Sequence, residues 1–228
     1  MKHTIKKAVA MKTTFNCYAD CNNGFMGFYN SYDTLLDSQI ENEIEDYHTE
    51  NNINLEWDDF SCNMSEFKKE VCEKWCEGLQ ELLGKDCNVK YKDYWSPTSY
   101  NYSSDEIHFE LSLDKQTIEE IIRCLYKNEK IAEIIKKRWS SRDGFCSFMS
   151  SDAKEWGSLI ETYIETGEDN SSNNNIETYI SLSVYYWLVY EKGKDVDNYL
   201  WQTICEEIDF GMFIELNETG KMKVNKGS

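Results

Sequence analysis

Pro97, the only proline of the chain, separates two runs of residues that have the character of β-strands, 88–94 and 107–113. Proline fixes its own φ angle and pushes the preceding residue, Ser96, towards an extended conformation. The segment that joins the runs is polar, non-repetitive and rich in aromatic residues, and such loops often carry function. The sequence therefore predicts two strands joined by a loop with a defined path. We name it the Pro97 loop, and its candidate functional residues are Ser96, Pro97, Tyr100, Asn101, Tyr102 and Asp105.

Apolar residues recur at helical spacing over most of the remaining chain. Helices are expected at residues 32–47, 65–83, 115–139 with a break near Asn128, 153–166, 176–190 and 196–208. A strand at 13–19 and a hairpin near the end of the chain, around Gly220, complete the pattern. The predicted fold class is α+β, with a modest antiparallel sheet packed by about six helices.

The length of 228 residues is enough for one substantial hydrophobic core. We predict a flexible basic leader over residues 1–12 and a single α+β domain over residues 13–228. An internal boundary near residues 140–152 is the alternative. Nine cysteines, an odd number, cannot all be used in disulfides. With neither a secretory signal nor a run of ~18 apolar residues for a membrane helix, we expect reduced thiols and a cytosolic location.

Acidic residues are concentrated in two blocks of the sequence. Residues 31–81 carry fifteen acidic residues and three lysines, and residues 143–220 carry sixteen and three, whereas the segment between them is nearly neutral. The formal net charge of −18 repels nucleic acid and anionic membranes, which both bind basic surfaces. The expected partners are therefore a cation, a basic protein, or a protein whose own groove binds nucleic acid.

Within the first block, glutamates follow one another at steps of four, three, four and four residues, which places them on one face of the predicted helix 65–83. A shorter row on the preceding predicted helix repeats this spacing. Carboxylates at this spacing, ~5–6 Å apart at Cβ, resemble the phosphates along one strand of nucleic acid. The alternative is an ordinary solvated helix face. The eight residues of these two acidic rows are Asp37, Glu41, Glu45, Glu66, Glu70, Glu73, Glu77 and Glu81.

No sequence motif indicates a catalytic, cofactor or metal site. The chain has no Walker A, dinucleotide-binding, HExxH or GxSxG motif. Two cysteine pairs, Cys17 with Cys21 and Cys72 with Cys76, could hold a metal if they met in space, and packing in the core is the favoured interpretation. His108 lies between two glutamates on one face of a predicted strand, which indicates a polar sheet face or, less favoured, an acid–base cluster. We predict no catalytic residue, no cofactor and no metal.

Three short motifs of the chain resemble an uncharacterised family of bacteriophage and mobile-element proteins. They are S-P-T-S-Y-N-Y-S-S-D-E-I in the Pro97 loop, S-R-D-G-F-C-S-F some forty residues later, and G-F-M-G-F-Y-N-S near the start. The resemblance fixes no chemistry. It implies a phage or mobile-element setting, in which small acidic proteins often antagonise host defence.

Three functions are consistent with these patterns. The leading prediction is an acidic inhibitor in the host cytosol that binds a host defence protein, as an anti-CRISPR or anti-restriction protein, and does not itself bind nucleic acid. The second is a ligand-binding protein or enzyme with a pocket between the Pro97 loop and residues 141–148, where Arg142 and Asp143 join Tyr100, Asn101 and Asp105. The third is a virion or assembly component. The oligomeric state is left open.

Overall fold

The computed structural model describes residues 12–20, 60–62, 64–95, 106–140, 149–171, 176–209 and 214–216, together with the isolated positions 42, 45, 46, 50 and 212. Five strands are found there, namely β1 (Lys12–Asp20), β2 (Phe60–Cys62), β3 (Asn88–Trp95), β4 (Glu106–Asp114) and β5 (Ile214–Leu216). Strands β1, β4 and β3 form an antiparallel sheet in that order, and β2 pairs separately with β5.

The same part of the chain contains six α-helices. They are α1 (Met64–Leu83), α2 (Lys115–Lys127), α3 (Glu129–Trp139), α4 (Ala153–Thr166), α5 (Ile176–Tyr186) and α6 (Val196–Glu207). Helix α5 continues into a π-helical turn, Trp187–Glu191. Together with the antiparallel sheet, these helices confirm the predicted α+β class. None of the described helices has both the length and the apolar character that a membrane span requires.

Strand β4 shows why the helices cover one face of the sheet. Its residues alternate between buried and half-buried along the whole strand, and the buried ones are Ile107, Phe109, Leu111 and Leu113. Alternation with a period of two places all four on the same face. On that face Trp75 of α1 lies 5.3 Å from Phe109 between ring centroids. The opposite face is polar, and there Thr14 and Ser112 share a hydrogen bond of 2.8 Å between their hydroxyl oxygens.

Helix α5 is at the centre of the core. It is buried on nearly every side, with only Glu177 half-buried, and packs against β1, α2 and α4, as expected of a helix with no solvent-facing stripe. Two of its buried hydroxyls bond to β1: Ser181 Oγ accepts a hydrogen bond from the Tyr18 N–H at 3.3 Å, and the Thr178 hydroxyl shares one with the Tyr18 hydroxyl. Trp156 of α4 stacks on Tyr186 with ring centroids 6.2 Å apart. The buried apolar residues from β1 to Ile208 form one continuous cluster.

A single asparagine explains the break between α2 and α3. The Asn128 N–H donates to the carbonyl of Cys124 and so ends α2, while its side-chain Oδ1 accepts from the N–H of Ile131 at 3.1 Å and so begins α3. At the other end of α2, Asp114 Oδ1 accepts from the N–H groups of Gln116 and Thr117. The predicted break near Asn128 is therefore confirmed.

The described residues cover only part of the predicted C-terminal hairpin and of the predicted helix 32–47. Strand β5 lies in the first half of the predicted C-terminal hairpin, but its partner is β2, a strand that the sequence pattern did not predict. The second half of that hairpin lies outside the described residues, as does nearly all of the predicted helix 32–47. A three-residue strand such as β2 is too short to show periodicity.

Helices α1 and α6 approach closely at Gly78. A Cβ atom at this position would lie 3.1 Å from Leu200 Cδ2 and 3.3 Å from Thr203 Cγ2, which is tighter than ordinary van der Waals contact. We expect Gly78→Val to lower the free energy of unfolding by about 1–3 kcal/mol because the added methyl groups separate the helices. Urea denaturation measures the change. Gln202→Val, at an exposed position of α6, is the control, and an equal loss in both variants would contradict close packing as the cause.

Candidate acidic interface

The five glutamates of α1 lie together on the side of the helix opposite its buried face. Glu66, Glu77 and Glu81 are exposed, and Glu70 and Glu73 are half-buried. The buried face consists of Phe67, Val71, Cys72, Trp75, Cys76 and Leu79. The predicted arrangement of this row is therefore present. Of the second row, Glu45 is exposed at a helical position, and Asp37 and Glu41 lie outside the described residues.

Lysine side chains neutralise part of the negative charge of the row, and the sequence pattern did not predict these pairs. Lys74 Nζ lies 2.7 Å from Glu77 Oε2 and 3.0 Å from Glu207 Oε2. Its hydrogen bonds to Glu77 and Glu207 raise the pKa of Lys74 above its ordinary value. Lys69 lies 3.8 Å from Glu73, and both side chains are largely exposed, so this pair contributes little to stability. Glu70 has no ion pair with any described residue.

Helix α6 extends the acidic surface beyond α1. Glu207 of α6 pairs with Lys74, which also pairs with Glu77 of the row. The Tyr199 hydroxyl of α6 donates a hydrogen bond of 2.5 Å to Glu81 Oε2. This bond to a carboxylate raises the pKa of Tyr199. Glu206 is exposed next to Glu207. We call the combined surface the acidic interface, and its residues are Glu66, Glu70, Glu73, Glu77, Glu81, Glu206 and Glu207.

An open groove of about 780 Å³ lies along the contact of α1 with β3. Its α1 wall includes Glu73, Glu77 and Glu81, and its β3 wall includes Val89 and Tyr91. Burial raises the pKa of Tyr91 to about 12, and nearby acidic groups add to the effect. The phenol therefore stays neutral at physiological pH, and the negative charge of the groove comes from the α1 carboxylates.

The Pro97 loop is the connection of an antiparallel hairpin. Trp95 of β3 pairs with Glu106 of β4, which places the two ends of the loop side by side. The predicted loop residues themselves lie outside the described residues. The same holds for Arg142 and Asp143, and so for the proposed pocket between the two loops.

His108 lies near the base of this hairpin, between two carboxylates. Its Nε2 is 2.8 Å from Glu106 Oε2, and its Nδ1 is 3.9 Å from Asp93 Oδ1. The hydrogen bond to Glu106 raises the pKa of His108, and burial opposes this only in part. Glu110 is on the same face and pairs in register with Lys90. Because both ring nitrogens face carboxylates, the geometry is that of a polar sheet face rather than of a free general base.

A second polar cluster, inside the helical layer, was not predicted from the sequence. The Tyr185 hydroxyl donates to Asp197 Oδ2 at 2.8 Å, while Asp197 Oδ1 is buried without a hydrogen-bond partner among the described residues. Burial raises the pKa of Asp197. Arg138 lies 5.7 Å from the centre of the Tyr186 ring. In the sequence, Asp197 resembles an ordinary acidic residue of a first helical turn, so no local signal indicates the cluster.

The thiols of Cys72 and Cys76 pack in the core rather than in an open site. Burial raises the pKa of both cysteines well above the ordinary value, which keeps them protonated and disfavours metal ligation, because the thiolate is the ligand. Among the described residues, no group of three or more histidine, cysteine and acidic side chains is placed to hold a metal ion.

The raised pKa of His108 makes stability depend on pH. The protonated ring stabilises the fold fully below the ordinary pKa of 6.5, and this contribution is lost as pH rises through the higher pKa of the folded state. We expect the wild type to exceed His108→Gln in stability at about pH 5.5, by less than about 1 kcal/mol because the pair is partly exposed. The difference should shrink at about pH 8.5. Urea denaturation at both pH values tests this, and a constant difference would contradict it.

The raised pKa of Asp197 also makes stability fall as pH rises, but here the charged form is the one that destabilises the fold. Above this pKa the buried side chain is charged, and that charge lowers stability. We expect Asp197→Asn, which keeps an acceptor for Tyr185, to be at least as stable as the wild type at neutral pH. Any advantage should decrease as pH falls and Asp197 becomes protonated. Asp197→Leu should cost about 1–3 kcal/mol because the Tyr185 hydroxyl loses its acceptor. A destabilised Asn variant at neutral pH would instead show that the charge stabilises the fold through Arg138.

Comparison with known proteins adds no family assignment to this geometry. No protein-family model, curated protein or solved structure gives a significant match to the chain. The resemblance of the Pro97 loop and the related motifs to a phage and mobile-element family stays a prediction, and the acidic interface is the candidate site on which a function can be argued.

Proposed function

We propose that this protein is an acidic inhibitor which binds a host defence protein that acts on nucleic acid, such as a CRISPR effector or a restriction enzyme. The supporting observation is the row of five carboxylates on the outer face of α1, which continues onto α6 through Glu206 and Glu207. The carboxylates take the place of phosphates in the nucleic-acid-binding groove of the partner. The protein itself does not bind nucleic acid, since its net charge of −18 repels it.

The charge density of the interface determines what it can imitate. From Glu66 to Glu81 the row extends ~22 Å at a rise of 1.5 Å per residue. It therefore carries one negative charge per ~5 Å of the helix axis. Double-stranded DNA carries one charge per ~1.7 Å of its axis. A single row is therefore closer to one strand than to a duplex. Glu206 and Glu207 raise the density locally, and Lys69 and Lys74 lower it.

Binding of this kind has a recognisable dependence on salt. Charged groups on the rim of an interface speed association and are screened when the ionic strength rises. The exposed glutamates Glu66, Glu77 and Glu81 are of this type, so a complex formed through them is expected to dissociate in a salt gradient. A partner held mainly by apolar contacts would not be released in this way.

Reversal of charge on α1 tests the proposal. The purified protein is used to capture partners from a bacterial lysate, with elution by a salt gradient and identification by mass spectrometry. We expect a nucleic-acid-processing enzyme that elutes as salt rises and that duplex DNA displaces. Glu70→Lys combined with Glu73→Lys and Glu77→Lys should weaken capture at least ~tenfold. The fold should persist, because the ion pairs that are lost, Lys69 with Glu73 and Lys74 with Glu77, are solvent-accessible and contribute about 1 kcal/mol or less each.

The matched control makes the same change of charge elsewhere. Glu133, Glu165 and Glu168 are exposed on α3 and at the end of α4, and their combined replacement by lysine should leave capture nearly unchanged. Capture that survives reversal on α1, or that both variants weaken equally, would show that the α1 row is not the binding surface. Circular dichroism and urea denaturation confirm that each variant is folded.

A further inference from the structure

The outer edge of β3 carries backbone groups that point away from the sheet. The Val89 N–H donates to Gln80 Oε1 at 2.8 Å, so it points away from β4. In an antiparallel pair the N–H and C=O of one residue point the same way, and this direction alternates along the strand. The C=O of Val89 and both backbone groups of Tyr91 therefore also point outward. Among the described strands, none pairs with this edge.

The groove described above runs beside these outward-pointing groups. Val89 and Tyr91, both half-buried, form its β3 wall, and Glu73, Glu77 and Glu81 line the α1 side. Lys90 is the only basic residue among the described residues that line the groove. The three carboxylates outnumber the basic residues of the groove lining, and Lys69 and Lys74 pair with Glu73 and Glu77 from outside it. The C=O of Val89 and both backbone groups of Tyr91, which no described strand bonds, favour pairing with another strand.

We propose that the β3 edge binds an extended basic segment of the partner protein, which adds a short strand antiparallel to β3. This inference rests on the proposed function and specifies the form of the partner segment. The length of the added strand is limited by the irregularity at Lys92, where the register with β4 shifts between Tyr91 and Asp93, because such a bulge bends the strand. The segment therefore pairs with both backbone groups of Tyr91 and with the C=O of Val89, whose N–H is bonded to Gln80, and not with the whole of β3.

The geometry of the edge also determines the sequence pattern of the segment. Residues directly opposite each other in an antiparallel pair project to the same face of the sheet. A residue opposite Tyr91 therefore projects towards the carboxylates of α1, and its two neighbours project to the polar face, beside Asn88 and Lys90. Basic side chains are favoured at positions that project towards the α1 carboxylates, and neutral side chains at positions that project to the polar face. The segment thus alternates basic and neutral residues.

A peptide of about eight residues that alternates lysine and threonine is the probe. Its binding to the full-length protein is measured by fluorescence anisotropy at low ionic strength in three forms, namely unmodified, N-methylated at every lysine amide, and N-methylated at every threonine amide. In an antiparallel pairing the lysine amides point to β3 and the threonine amides point away from it. We expect lysine methylation to weaken binding at least ~tenfold and threonine methylation to have little effect. Hydrogen exchange of the Tyr91 amide should slow when the unmodified peptide binds.

The possible results separate strand pairing from simple charge attraction. A loss confined to the threonine-methylated form would overturn the antiparallel orientation, because the threonine amides point to β3 only in a parallel pairing. Equal affinities of the two methylated forms, or no binding of the unmodified peptide, would overturn the proposal. Glu73→Gln with Glu77→Gln should weaken peptide binding at least ~fivefold, whereas Glu133→Gln with Glu165→Gln should not. Should partner capture depend on the α1 glutamates while the methylated peptides bind equally, the acidic interface stands and only the strand pairing fails.

Discussion

Ten of the eleven residues of α5 are buried, so the neighbouring elements must cover this helix on all sides. Strand β1, α2 and α4 do so. Burial of apolar surface contributes roughly 25 cal/mol per Å², and a helix without a solvent-facing stripe buries more than an amphipathic one of equal length. The hydroxyls of Thr178 and Ser181 would be costly in such a place without partners. They bond instead to Tyr18, which fixes β1 against α5.

Helix α1 has the opposite character, with one face in the core and one in water. Trp75 and Leu79 are buried, whereas Glu77 and Glu81 are exposed. The helix is held by β3 on one side and by α6 on the other, where Gly78 allows close contact. Repulsion between its glutamates costs a few tenths of a kcal/mol per pair, which is small beside the burial of Trp75. The fold can therefore maintain a strongly acidic helix face.

Local patterns predicted the local structure. The predicted range of α4, 153–166, is also the observed one. The predicted break near Asn128 is observed too, because the Asn128 side chain caps the start of α3 where α2 ends. The row of glutamates on α1 was likewise visible, because it depends only on helical spacing. Features made by distant segments were not visible. These include the pairing of β2 with β5, the Lys74 bridge to Glu207, and the bond between Tyr185 and Asp197, whose partners are brought together only by tertiary packing.

The division of α1 into two faces has an evolutionary consequence. Under the proposed function, substitutions at the exposed glutamate positions would alter what the surface recognises, while most residues that hold the helix in place lie on its other side. Most surface substitutions change stability by no more than ~0.5 kcal/mol. A lineage under pressure from a changing target can therefore explore new surface charges on this helix without first acquiring compensating changes in the core. Positions 77 and 81 are exceptions, since Lys74 joins Glu77 to Glu207 and Glu81 accepts a hydrogen bond from Tyr199, and both contacts tie the surface to α6.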